Sequence, residues 1–362
     1  MGLAHQLAYR ALRPLLFSLD AERAHDLVLS LLAGNSSLPR RLVSLDRIDD
    51  PVEVAGVVFP NRVGLAAGLD KEARCLPAFA AMGFGFIEVG SVAPQGETWP
   101  DPPRIYRLPS AQALINRIGL HPGGLPALCT ALERCRWPLD QRTAIPVRLG
   151  INLACNVATL ATDALRDYAM GLRATIHRAD YFTINISNPN ASNRHVPVLR
   201  PALDEWLTSI DQVRFDLASE TGRTPPVFLK LSPDIDEVSC QALCDALRER
   251  SDTVGDRHKL RWGVIIANTT ARRDSVSGLR HAEERGGLSG SPLRKPANQL
   301  VKTMRAQLGR GIAIIGTGGI LSGDDARERI AAGADLIQIY TGLIYRGPDL
   351  VREAALAVRD TR

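Results

Sequence analysis

The chain has 362 residues, 45% of them hydrophobic and 23% charged, which suits one large α/β barrel or two ordinary domains and excludes a disordered chain. Its net charge of +5 comes from arginines scattered along the sequence, which argues against a nucleic-acid partner and leaves an anionic small molecule or an anionic membrane surface. The six cysteines (75, 129, 135, 155, 240 and 244) form no CxxC pair and the histidines show no metal spacing, so no metal is expected; no apolar run reaches the roughly 18 residues of a membrane span.

The chain opens with two amphipathic helices. "LAYRALRPLLFSL" (7–19) is apolar on one side and basic on the other. Asp20 then caps "AERAHDLVLSLLA", which ends at Gly34. From the pattern alone, such a pair packs on the main domain; a basic amphipathic pair also suits a membrane surface. The start, "MGLAHQ", has no signal-peptide pattern, and Gln6 stands where a myristoylation motif needs Ser or Thr. The pattern divides the chain into a helical pair at 1–45 and a barrel at 46–362.

From about residue 60, short apolar β-branched runs alternate with helical stretches: "VGLAAGL" (63–69), "GFIEVGS" (85–91), "LGINLA" (149–154), "YFTINIS" (181–187), "PVFLKLS" (226–232), "WGVIIAN" (262–268), "IAIIGTG" (312–318) and "LIQIYTG" (336–342). Nearly continuous apolar runs mark parallel strands covered on both faces. Eight of them predict a (β/α)8 TIM barrel with a small N-terminal helical extension. The segment 93–122 breaks the rhythm and reads as a functional excursion over one mouth.

The C-terminal strand ends, where barrels of this type place their chemistry, are polar. They carry Asp70 and Lys71, then Ser91, Asn152, Asn185 with Asn188 and Asn190, Lys230, Asn268 with Thr269 and Thr270, "GTGG" (316–319), and Tyr340 with Thr341. The glycine turns after the last two strands suit phosphate, and "GGLSGSPL" (286–293) reads as a further flexible glycine loop opening a helix. Lys230, inside an apolar strand, needs an anionic partner or loses its proton; it suits a Schiff base or negative charge on a flavin ring. A set of asparagines, offering donors and acceptors together, suits a flat amide-rich ligand.

In their order, "GLAAGLDK" (64–71), "INRIG" (115–119), "GIN" (150–152), "INISNPN" (184–190), "LKLSPD" (229–234), "ANTT" (267–270), "GGLSGSPL", "IIGTGGI" (314–320) and "LIQIYTG" resemble the class 2 dihydroorotate dehydrogenases, the quinone-linked, membrane-associated branch. The resemblance covers almost the whole chain, including "LDAERAH" (19–25), and implies that the N-terminal helices form a membrane-facing quinone tunnel. It implies oxidation of dihydroorotate to orotate in pyrimidine biosynthesis, with bound FMN and a quinone acceptor, by a protein peripheral on the cytoplasmic side of the membrane. Ala67, Gly68, Ser91, Asn152, Asn185, Lys230, Gly290, Gly318, Gly319, Tyr340 and Thr341 stand where the family holds FMN. Lys71, Asn116, Arg117, Gly119, Asn185, Asn190, Asn268 and Thr269 stand on the substrate side, and His25 and Arg107 in the quinone tunnel.

One departure matters most. Asn188 occupies the position of the family's catalytic serine, and an amide takes no proton near neutral pH. Leu120, Ala154-Cys155 and "ASNRH" (191–195) also depart from the family pattern. The resulting expectation is an FMN-dependent dihydroorotate dehydrogenase with another proton acceptor: Ser187, Cys155, His121, His195 or water. The alternative is a paralogue that keeps FMN and the asparagine clamp but acts on a different small cyclic or amide substrate. A flavin-binding protein without turnover and a flavin-free Schiff-base barrel complete the readings.

Overall fold

The computed structural model describes residues 2–34, 43–97, 100–135, 137, 146–186, 197–253 and 260–360. It begins with helices α1 (Gly2–Ser18) and α2 (Ala21–Ala33), the hairpin β1 (Val52–Val54) and β2 (Val57–Phe59), strand β3 (Val63–Leu65) and helix α3 (Leu76–Ala81). There follow β4 (Phe86–Val92), β5 (Ile105–Leu108), β6 (Ala113–Asn116), α4 (Gly124–Arg134), β7 (Arg148–Leu153), α5 (Ala164–Thr175), β8 (Tyr181–Asn185) and α6 (Ala202–Thr221). The remainder is β9 (Val227–Leu231), α7 (Glu237–Thr253), β10 (Trp262–Ile266), β11 (Gly287–Gly290), α8 (Arg294–Leu308), β12 (Ala313–Thr317), α9 (Gly323–Ala331), β13 (Leu336–Ile339), α10 (Thr341–Arg346) and α11 (Asp349–Arg359).

Strands β3, β4, β7, β8, β9, β10, β12 and β13 close into a parallel barrel. These are the eight runs read from the sequence; seven end short of the predicted run, while β4 runs one residue beyond it to Val92. The strands are buried on both faces because helices cover the outside while their alternate side chains fill the inside.

The inside is layered. At the floor, Phe86, Tyr181 and Phe228 pack together with Ile265 and Leu336, and Phe59 of the β1–β2 hairpin seals them, its ring 5.2 Å from that of Phe86. Glycines make room for these rings: a Cβ at Gly64 would fall 2.2 Å from Phe86, and one at Gly263 would fall 2.4 Å from Phe228. Above the floor lies a polar layer of Glu88, Asn152, Thr183, Lys230 and Gln338, all buried. Above that the barrel opens.

The excursion after β4 forms β5 and β6, which pair antiparallel. The stretch expected as a flexible glycine loop is instead strand β11, antiparallel to β6 with Gly287 opposite Asn116. Its glycines serve close backbone approach: a Cβ at Gly287 would fall 1.9 Å from Thr269 Oγ1.

Helices α1 and α2 are tied to the barrel. The Tyr9 hydroxyl donates to the Ile344 carbonyl at 2.6 Å, and Arg13 Nη1 to that of Tyr345 at 2.9 Å. Arg107 caps α1 by donating to the carbonyls of Leu16, Phe17 and Leu19, and Arg104 pairs with Glu22 of α2. Asp20 accepts from the Glu22 and Arg23 amides, as its capping position predicts. Leu12, Leu15, Leu27 and Leu31 remain exposed on these helices. No helix among the described residues is long and apolar enough to cross a membrane.

Candidate functional site

The C-terminal strand ends, together with β6 and β11, enclose a cavity. Ala67, Gly68, Lys71, Ser91, Asn116, Gly119, Asn185, Lys230, Asn268, Thr269, Gly290, Gly318, Gly319, Tyr340 and Thr341 all line it. Asn152 lies one layer below, buried, where it accepts from Ser91 Oγ. Arg117 does not face the cavity. Strand alternation keeps Asn116 on the cavity side and sends Arg117 outward, where it donates to Glu284 at 3.3 Å and the Pro103 carbonyl at 2.8 Å. Ser187, Asn188, Asn190 and His195 lie outside the described residues.

One end of the cavity is built for an anion. Gly318 and Gly319 hold φ values of +88° and +74°, and a Cβ at Gly319 would strike the Arg294 amide nitrogen at 2.3 Å. The backbone N–H groups of Gly319 and Tyr340 donate to nothing among the described residues, leaving them for a ligand. Arg329, fully buried, holds this turn from beneath by donating to the carbonyls of Thr317 at 2.6 Å and Gly318 at 2.8 Å.

A second, mostly apolar cleft runs between α1, α2 and the barrel. His25 and Arg107 line it with Leu16, Phe17, Val28, Leu343 and other apolar groups. Asn116 and Tyr340 line both spaces, so a thin wall separates them.

The dihydroorotate dehydrogenase family model matches residues 51–358, from the floor hairpin through α11. The chain belongs to the dihydroorotate dehydrogenase family. Relatives named dihydroorotate dehydrogenase (quinone), from Acidovorax sp. (strain JS42) and Methylibium petroleiphilum, are 46% and 47% identical over 98% of this chain and 99% of their own. These matches reach beyond the family model to take in α1 and α2. The crystal structure of DHODH from Eimeria tenella in complex with ferulenol superposes with a TM-score of 0.83 at 32% identity, covering 95% of this chain and 93% of that one. None of these comparisons supports the altered-substrate reading.

The electrostatics of this dihydroorotate dehydrogenase cavity follow from burial. Lys71 donates to the Gly119 carbonyl, and burial, followed by the Arg104 charge, lowers its pKa to about 7. Burial also lowers Lys230, with Glu88 opposing that shift, and raises Tyr340 to about 12. In the second cleft, burial depresses His25, so the imidazole is neutral at neutral pH.

Two proposed proton acceptors are poorly placed. Cys155 aims its thiol at the Ala164 carbonyl at 3.4 Å, and burial pushes its pKa up to about 12. His121 accepts the Gly123 amide on Nδ1 at 3.0 Å, and burial, with Lys71 nearby, lowers its pKa to about 4. The neutral ring therefore carries its proton on Nε2, which finds no partner among the described residues and is a donor, not an acceptor. Neither residue lines the cavity among the described residues.

The sequence reading missed Glu88, Gln338 and Arg329. Glu88 was detectable by the rule that singled out Lys230: a charged group inside an apolar strand needs a partner. Arg329 offered no such sign, because a helical arginine normally faces solvent.

Proposed function

We propose that this chain binds FMN in the barrel cavity, oxidises dihydroorotate to orotate there, and passes the electrons to a quinone in the second cleft. The observation that carries this reading is the pair of adjoining spaces, one polar with an anion end and one apolar, sharing Asn116 and Tyr340. The donor set fits FMN. Unpaired amides on glycine turns match a phosphate, and a buried lysine without a hydrogen-bond partner among the described residues matches a ring that gains negative charge.

FMN bound here would supply two-electron redox chemistry between dihydroorotate and a quinone. The chain supplies the rest. The turn Thr317–Gly319, held by Arg329, and the start of α10 bind the phosphate. Lys230 stabilises negative charge at the ring. Lys71 meets the substrate carboxylate, while Asn116, Asn185 and Asn268 orient its amide groups by donors and acceptors. The buried cavity walls exclude water and strengthen these interactions. His25 and Arg107 offer polar contacts to a quinone headgroup among apolar side chains. The exposed leucines of α1 and α2 suit a membrane surface, from which a lipid-soluble acceptor would enter.

Anaerobic mixing of the flavin-loaded protein with dihydroorotate tests this reading. Flavin absorbance is expected to bleach, and a ubiquinone analogue to restore it. A flavin that stays oxidised with dihydroorotate would overturn the substrate. Bleaching without reoxidation by quinone would overturn the acceptor.

Lys71 gives the site a pH dependence. An anionic ligand binds its charged form, which dominates below a pKa of about 7. Orotate is therefore expected to bind most tightly below that pH. Its Kd should rise by up to about tenfold per pH unit above it, until the higher pKa of the complex is passed. Titration of the flavin spectrum with orotate measures this, and Lys71→Met should weaken binding and flatten the profile. A flat wild-type profile would remove Lys71 from the substrate carboxylate.

A further inference from the structure

The polar layer inside the barrel contains a charge that the proposed reaction does not use. Glu88 on β4 has none of its surface exposed. Its Oε1 accepts from Asn152 Nδ2 at 2.8 Å, and its Oε2 accepts from Gln338 Nε2 at 2.7 Å and the Tyr181 hydroxyl at 3.0 Å. The donors come from β7, β13 and β8, so only barrel closure assembles them. Gly150, the register partner of Glu88, makes the arrangement possible: a Cβ there would fall 2.1 Å from the Tyr181 ring.

All three donors are neutral. Burial and the adjacent carboxylate push the Tyr181 phenol well above its usual range, so it keeps its proton. Lys230 shares this buried layer: its register partner Asn185 connects to Glu88 through Ser91 and Asn152, and Gln338, which bonds Glu88, lines the cavity beside Lys230. Lys230 is 5% exposed and makes no hydrogen bond among the described residues. Its register partners, Asn185 on β8 and Ile265 on β10, bring no charge, and Gln338 on β13 brings none. Burial favours the neutral amine, and Glu88 is the charged group that opposes this.

We infer that Glu88 is a positioning residue: its buried carboxylate keeps Lys230 an ammonium at the floor of the flavin cavity and sets the hydrogen-bond direction of the wall above. The inference rests on the FMN reading. A carboxylate accepts and does not donate, so it turns the Asn152 amide with Nδ2 toward Glu88 and Oδ1 toward Ser91. Ser91 donates to that oxygen and in turn accepts from Asn185 Nδ2 at 3.1 Å. Asn185 is left presenting its oxygen toward Asn268 Nδ2 at 3.4 Å. An ammonium already in place balances the negative charge gained on two-electron reduction by dihydroorotate. A neutral amine would draw one further proton from water to do so.

The test uses the full-length flavin-loaded protein and counts protons taken up per two-electron reduction, with an indicator dye, across neutral to alkaline pH. Glu88→Gln is expected to take up more than wild type, approaching one additional proton, and Glu88→Asp, which keeps the charge, to restore the wild-type count. Equal counts in all three overturn the inference. A second measurement does not depend on flavin: competitive acetylation of Lys230 in the full-length flavin-free chain, read by peptide mass. The pH of half-maximal reactivity should fall by about 1–3 pH units in Glu88→Gln and recover in Glu88→Asp. No fall overturns the inference. A fall in a chain that binds no flavin supports the Glu88–Lys230 coupling and sinks the FMN reading instead. Should Glu88→Gln fail to fold, wild type still decides: Lys230 must resist acetylation at pH 7, and an amine already reactive there counts against the role of Glu88.

Discussion

Asn188→Ser is expected to raise the rate at which dihydroorotate reduces the bound flavin by about 10²–10⁴-fold, the usual worth of general acid–base catalysis. In our reading Asn188 stands at the base position, where an amide cannot accept the substrate proton near neutral pH. The described alternatives do not repair the loss. The Cys155 thiol is held at about 12 and bonded to a helix carbonyl, and His121 is held at about 4 with its accepting nitrogen already used. Proton removal in wild type then falls to water, Ser187 or His195, and a positioned serine at 188 should do better than water. Anaerobic stopped-flow reduction, with orotate affinity as the control for an intact cavity, measures the gain. An unchanged rate at unchanged orotate affinity would show that another group already serves as an effective base.

Arg329→Met is expected to lower unfolding free energy by about 3–5 kcal/mol, the usual cost of removing one partner from a buried charged cluster. Arg329 has no exposed surface, and Gly316 makes room for it: a Cβ there would fall 2.5 Å from Arg329 Cδ. Its guanidinium bonds the Thr317 and Gly318 carbonyls and Asn298 Oδ1. Burial lowers its pKa to about 10, against the pull of Asp325, so it remains charged at neutral pH. Methionine would fill the stem's space but leave the Gly318 carbonyl without its donor, the Thr317 carbonyl with the Ala267 amide alone, and Asp325 with Arg294 but without the Arg329 charge. The glycine turn would then lose the support that directs its amides into the cavity, so FMN affinity should fall with stability. Denaturant unfolding and flavin dissociation measure the two effects. Unchanged values for both would show that the turn holds itself.

Much of this architecture was legible in local sequence. Strands β7, β9 and β12 announce themselves as near-continuous apolar runs, because a strand covered on both faces has no polar side to show. The cavity residues were legible for a related reason. Polar groups at Ser91, Asn185, Lys230 and Asn268 end apolar runs or interrupt them, and burial makes such placements costly without a partner. The helix cap at Asp20 was equally local, since it bonds amides two and three residues on.

The partners were not legible. Gln338 meets Glu88 across 250 residues, and Arg107 reaches the end of α1 across about ninety. Strand β11 reads as a glycine loop because its glycines answer to Asn116 and Thr269 on neighbouring segments, and its own sequence carries no strand pattern. Arg117 sits beside Asn116 in a motif, yet its side chain leaves the cavity because successive strand residues face opposite sides. The sequence by itself determined which segments form strands and which strand ends are polar, since periodicity and burial act on neighbours in the chain. Only the closed barrel decided that Glu88 meets Asn152, Gln338 and Tyr181 and that Arg329 holds the glycine turn, because those interactions join strands and helices whose proximity no local pattern encodes.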